Sequence, residues 1–147
     1  MINIKRLLLL ILFLIQVSIT ISQDWKLDLN EAQNIAKNNN RKIILVFSGS
    51  DWCAPCIKLE KEIWNSEYFQ NYAKENYVML RADFPRKKAN KLSAEQTEKN
   101  NQLAEKYNQK GFFPLVVVLN KDLKVLGETG YKKMTPKEYI EHLNSIK

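Results

Sequence analysis

The chain has 147 residues, 45% of them hydrophobic, and carries 23 lysines and arginines against 16 aspartates and glutamates, for a net charge of +7. The basic excess is scattered over many lysines, without a concentrated stripe or an interleaved aromatic platform, which argues against nucleic-acid binding. Two cysteines and one histidine cannot supply the four ligands of a structural zinc site, so no metal centre is expected.

At the N-terminus, Lys5 and Arg6 precede the apolar run Leu7 to Ile15, and Thr20-Ile21-Ser22 offers small residues for a signal peptidase. Residues 1–22 therefore read as a secretory signal peptide, with cleavage near Ser22 and a mature start at Gln23. The run falls short of the ~20 apolar residues of a spanning helix, although Val17, Ile19 and Ile21 could extend it into an uncleaved anchor. No cysteine stands near the cleavage region to carry a lipid. The expected location is the periplasm or the exterior, and residues 23–147 have the length of one domain with one core.

Asp28 and Glu31 can cap a first helix that buries Leu29, Ala32 and Ala36 and stops at Asn38-Asn39-Asn40. Ile43 to Phe47 is continuously apolar, the pattern of a strand covered on both faces, and Ser48-Gly49-Ser50 ends it. Cys56, Leu59, Glu60 and Ile63 then recur at helical spacing, with Pro55 tolerated in the first turn. Ser66 can cap a helix carrying Phe69, Tyr72 and Ala73. Tyr77 to Phe84 alternates like a partly exposed strand, and the strand–helix–strand order favours a parallel crossover. The segment Pro85 to Leu92, with Arg86, Lys87, Lys88 and Lys91, reads as an inserted loop, either a solvated connection or a basic rim that orients an acidic partner. Ser93 and Gln96 form a capping-box pattern ahead of Leu103, Ala104 and Tyr107, with Gly111 after the helix. Leu115 to Leu119 and Leu123 to Thr129 flank Asn120-Lys121-Asp122 as a hairpin. Thr135, Pro136 and Glu138 open a last helix with Tyr139, Ile140, Leu143 and Ile146 on one stripe. His142, far along the chain from the cysteines, is expected at the surface without a catalytic role.

The chemistry is concentrated in Trp52-Cys53-Ala54-Pro55-Cys56, between the buried strand and the helix. Cys53, exposed at the helix start, would be acidified by the unpaired backbone N–H groups there. Cys56, one turn in, would face inward. The first can attack a disulfide and the second can resolve the mixed disulfide. An inert structural bridge is the weaker alternative, since so tight a loop constrains the unfolded chain little. Covalent haem would need histidine after the second cysteine, where Ile57 stands.

Trp-Cys-x-Pro-Cys after a buried strand resembles the thioredoxin superfamily. Gly111-Phe112-Phe113-Pro114 ahead of Leu115 to Val118 is similar to the family's cis-proline loop. Phe47-Ser48-Gly49-Ser50-Asp51-Trp52 and Asp83 to Lys88 resemble secreted thioredoxin-like proteins near the C-terminal domain of DsbD. The resemblance covers roughly Leu29 to Ile146. It implies an α/β thioredoxin fold, a central mixed β-sheet flanked by helices, and a thiol–disulfide oxidoreductase that needs no dissociable cofactor. It also implies a cis Phe113–Pro114 bond facing the cysteines, Trp52 shielding the motif, and Phe113 and Pro114 as the surface on which an extended substrate lies. Thioredoxin's buried aspartate, six residues before the first cysteine, is replaced here by Phe47. Glu60, four residues past Cys56 as in the DsbD domain, is the candidate proton-handling substitute, with Asp51 the second acidic candidate; the alternative for both is a solvated surface carboxylate.

The expected activity is reduction of protein disulfides through the Cys53/Cys56 dithiol. Ala54-Pro55 lacks the histidine of the strongly oxidising members, which points to a potential nearer about −270 mV than about −120 mV. Expected partners are disulfide-containing proteins and a membrane thiol donor resembling DsbD, with the chain itself a monomer. The alternatives are a noncatalytic binding module on the same fold, or a disulfide oxidase or isomerase.

Overall fold

Five consecutive apolar residues, Ile43 to Phe47, have no polar side to turn outward, and they form the middle of the sheet. The structure is a computed structural model and describes residues 23–147, so the expected leader, residues 1–22, lies outside the described residues. The elements run β1 (Trp25–Lys26), α1 (Leu29–Asn39), β2 (Lys42–Ser48), α2 (Ala54–Leu59), a π-helical turn (Glu60–Trp64), α3 (Glu67–Asn76) and β3 (Tyr77–Asp83). A short 3-10 turn (Lys88–Asn90), α4 (Ala94–Tyr107), β4 (Leu115–Leu119), β5 (Val125–Thr129) and α5 (Pro136–Ser145) complete the order. The strands lie side by side as β1-β3-β2-β4-β5. β2 pairs parallel with β3 and antiparallel with β4, so the sheet is mixed, as expected for a thioredoxin fold.

Alternation along β2 divides the core into two layers. Ile44 and Val46 join Leu59, Ile63, Trp64, Phe69, Met79, Val116, Val118, Tyr139 and Leu143 on one face of the sheet. Ile43, Leu45 and Phe47 join Ala32, Ala36, Val78, Leu80, Leu103, Tyr107 and Val117 on the other. Trp64 organises the first layer, meeting Trp25, Phe69 and Tyr139 edge-on at centroid distances of 6.2, 4.7 and 5.4 Å. Such edge contacts align the positive ring rim with a negative ring face.

The helix starts obey local chemistry. Asp28, Ser66, Ser93 and Thr135 cap α1, α3, α4 and α5, each side chain accepting a backbone N–H of the first turn. Asn40 closes α1 in the left-handed conformation. Thr135 and Glu138 form a complete reciprocal capping box. The pattern at Ser93 is only half realised, because the Gln96 amide reaches Leu27 O and Asn100 Oδ1 instead of returning to Ser93.

The structure departs from the sequence reading at three places. β3 is more buried than its alternation predicts: Arg81 and Asp83 are half-buried as expected, but Tyr77 and Met79 are buried along with Val78 and Leu80, because β1 extends the sheet beyond them and helices cover both faces. β1 itself was not anticipated, since two residues carry no period and take their conformation from pairing with Met79 and Leu80. The active-site helix continues into a π-helical turn rather than regular helix. At the opposite end of β2 from the cysteines, Lys42 Nζ donates to Ile146 O at 2.7 Å and ties down the end of the last helix.

Candidate active site around Cys53 and Cys56

β2 ends at Ser48, and the chain turns sharply so that Trp52 N–H and Cys53 N–H both donate to Gly49 O, at 3.2 and 2.9 Å. Cys53 is the N-cap of α2, and its Sγ accepts the Cys56 N–H at 3.3 Å. Gly49 N–H points at Cys56 Sγ at 3.5 Å. The two cysteines are joined as a disulfide, with Cα atoms 5.2 Å apart. Pro55 sits in the first turn, where no intrahelical donor is needed. Two backbone donors thus address the two sulfurs, a substitute for a charged side chain in holding negative charge there.

Cys53 is not exposed as expected: it is 5% accessible and Cys56 3%. Bonded to Cys56 and folded over the first turn of α2, the Cys53 side chain leaves the outer surface to Ala54 and Pro55, which are exposed.

Trp52 is pinned on several sides. Its Nε1–H donates to Phe84 O at 2.7 Å, and its ring meets Phe113 at 5.4 Å between centroids. The Arg86 guanidinium lies 3.7 Å from the ring centroid. Gly49 faces the indole so closely that a Cβ there would overlap it. Phe113 also packs on Phe84 at 5.5 Å, and the Phe113–Pro114 peptide is cis. Asn108 secures this loop, its amide accepting Phe112 N–H and donating to Phe112 O, both at 2.9 Å. Phe112 itself is 56% exposed. The role of Asn108 is not anticipated from the sequence, although an asparagine ahead of a glycine in a loop is a recognisable turn signal.

The two acidic candidates serve different neighbours. Glu60 Oε2 accepts from Arg81 at 2.5 Å, and the Arg81 guanidinium also stacks 4.0 Å from the Trp25 ring centroid. Asp51 accepts the backbone N–H groups of Arg86 and Lys87 and the Asn90 amide, each at 2.9 Å. The Arg86 N–H hydrogen bond is the largest cause holding the Asp51 carboxyl below its ordinary range. Ser50 fastens the same region, donating from N and Oγ to Asp83 at 2.9 and 2.6 Å. Phe47 is fully buried in the sheet. His142 is half-buried rather than at the surface, its Nε2 2.9 Å from Thr129 Oγ1, and burial pushes its pKa down.

Residues 24–121 match the family model described as thioredoxin-like. The disulfide bond reductase DsbH of Chlamydia pneumoniae is 34% identical over 115 residues, covering 78% of this chain and 68% of that protein. A solved DsbH oxidoreductase superposes with a TM-score of 0.77 at 31% identity, covering 85% of this chain and 84% of the other. The oxidised C-terminal domain of DsbD from Neisseria meningitidis shares the fold, with a TM-score of 0.55 at 16% identity over 80% of this chain and 91% of that domain. A strand-to-helix dithiol motif, a cis-proline loop packed against its tryptophan, and these likenesses have one meaning: the chain belongs to the thioredoxin-like family of thiol–disulfide oxidoreductases.

Proposed function

We propose that the protein is an exported reductase of protein disulfides, with Cys53 as nucleophile and Cys56 as resolving thiol. The observation that carries this reading is the Cys56 N–H aimed at Cys53 Sγ from the first turn of α2. That donor and the helix start favour the thiolate on Cys53 in the reduced protein. The Cys53 thiolate attacks one sulfur of the substrate, whose S–S bond breaks and releases the other sulfur as a thiolate. Cys56 then loses its proton and attacks Cys53 Sγ, so the mixed disulfide breaks, the second substrate thiolate leaves and the Cys53–Cys56 bond forms. Two electrons pass from the protein dithiol to the substrate. Glu60, one helical turn past Cys56 and held by Arg81, is assigned to the proton that Cys56 gives up. Trp52, Phe113 and Pro114 provide the surface for an extended substrate segment.

The reducing direction is supported by the absence of histidine between the cysteines and by the likeness to a disulfide bond reductase. A reductase working outside the cytoplasm must be recharged, which calls for a thiol donor at the membrane. Export rests on residues 1–22 acting as a cleaved leader, and the monomeric 23–147 domain is the working form. Equilibration with glutathione tests the direction. A potential near about −270 mV supports a reductase, and one near about −120 mV refutes the direction. A Cys56→Ser variant should accumulate mixed disulfides with its substrates, and a Cys53→Ser variant should accumulate none.

A further inference from the structure

Arg86, Lys87, Lys88 and Lys91 are all exposed beside the motif. Among the described residues, none of these four forms an ion pair with an acidic side chain. The two carboxylates that border the segment are already hydrogen-bonded, and neither bonds one of these four side chains. Asp51 receives backbone N–H groups and the Asn90 amide, and Asp83 receives Ser50. Lys87 lies close enough to Asp51 to help hold its pKa down.

Arg86 differs from the three lysines. Its backbone is fixed on Asp51, and its guanidinium stacks on the ring of Trp52, the residue that precedes Cys53. A guanidinium stacked on an aromatic face keeps its N–H edges available for a carboxylate. Because the side chain is already ordered by the stack, binding an anion there loses less rotamer freedom than ordering a free lysine would.

We infer that Arg86 is a specificity-determining residue, selecting disulfides flanked by aspartate or glutamate, with Lys87 and Lys88 extending the positive field. The inference rests on the reductase reading and adds a substrate class to it. The exchange of bonds and electrons is that given above, and Arg86 acts on docking of the acidic segment before sulfur attacks sulfur.

The test uses the reduced protein and two peptides with the same disulfide, one with glutamate beside the cysteine and one with glutamine. At low salt the wild type should show about fivefold higher kcat/KM for the glutamate peptide, the upper range for an exposed ion pair. About 0.5 M salt should erase most of the difference. Arg86→Gln should bring the ratio close to one, and Arg86→Lys should retain only part of it, because an ammonium lacks the planar fork. Equal rates for both peptides with the wild type, or an unchanged ratio in Arg86→Gln, would overturn the inference and leave the reductase standing. Reduction of neither peptide, while Cys53 still alkylates, would overturn the reductase reading and this inference with it.

Discussion

The polar contact at Cys53 Sγ comes from the backbone. The Cys56 N–H points at it, and the side chain six residues earlier, Phe47, is buried and uncharged. In the reduced protein, iodoacetamide should therefore modify Cys53 with a pH midpoint below the free-thiol value of about 8.5. A midpoint at or above that value would remove the helix-start argument. Asp51 offers a second measurable consequence. Hydrogen bonds from the 86–90 segment lower its pKa from the usual 3.8, so its ionised form favours the folded state. That contribution is present above the unfolded value and is lost as the pH falls through the lowered one. The Tm difference between wild type and Asp51→Asn should accordingly shrink as the pH falls below the ordinary value of 3.8. A difference that stays constant with pH would mean that the carboxylate charge is irrelevant to holding the loop. The cysteines were legible in the sequence because the motif is contiguous. The Arg86–Trp52 stack was not, since the 34-residue separation closes only when β3 delivers Phe84 beside the motif.

The strand–turn–helix from β2 to α2 works as one device whose tightest point is Gly49. Its carbonyl holds Trp52 and Cys53, its N–H faces Cys56 Sγ, and the Trp52 indole occupies the space where a side chain would go. Gly49→Ala must displace an indole already confined by Phe84 O, Phe113 and Arg86. Overpacking of this kind costs about 1–3 kcal/mol. Urea unfolding should show that loss as a lower midpoint at unchanged slope, together with slower disulfide reduction. Wild-type stability in Gly49→Ala would show that the indole moves freely. Caps at Asp28, Ser66 and Thr135 could be anticipated because a short side chain meets the backbone only two or three residues on. The burial of Tyr77 and Met79 could not, because it depends on the aromatic layer around Trp64 and on a two-residue strand paired some fifty positions away. The π-helical turn after Leu59 likewise left no trace in an apolar pattern that fits an α-helix equally well.

For the whole molecule, the reading of residues 1–22 makes a simple demand: the protein recovered from outside the cytoplasm should begin at Gln23. N-terminal sequencing checks it, and an intact Met1 on membrane-bound protein would favour the uncleaved anchor. Both described ends of the chain converge on one pole. β1 starts beside Met79, near the beginning of β3, and the last helix is tied by Ile146 O to Lys42 at the beginning of β2. The cysteines follow the other end of β2, a strand of seven residues and so about 20 Å away. Whatever is joined ahead of Gln23 or after Lys147, be it a lipid-bound stalk, a bead or a fluorescent reporter, attaches at the back of the molecule and leaves the sulfur-bearing face turned toward whatever approaches.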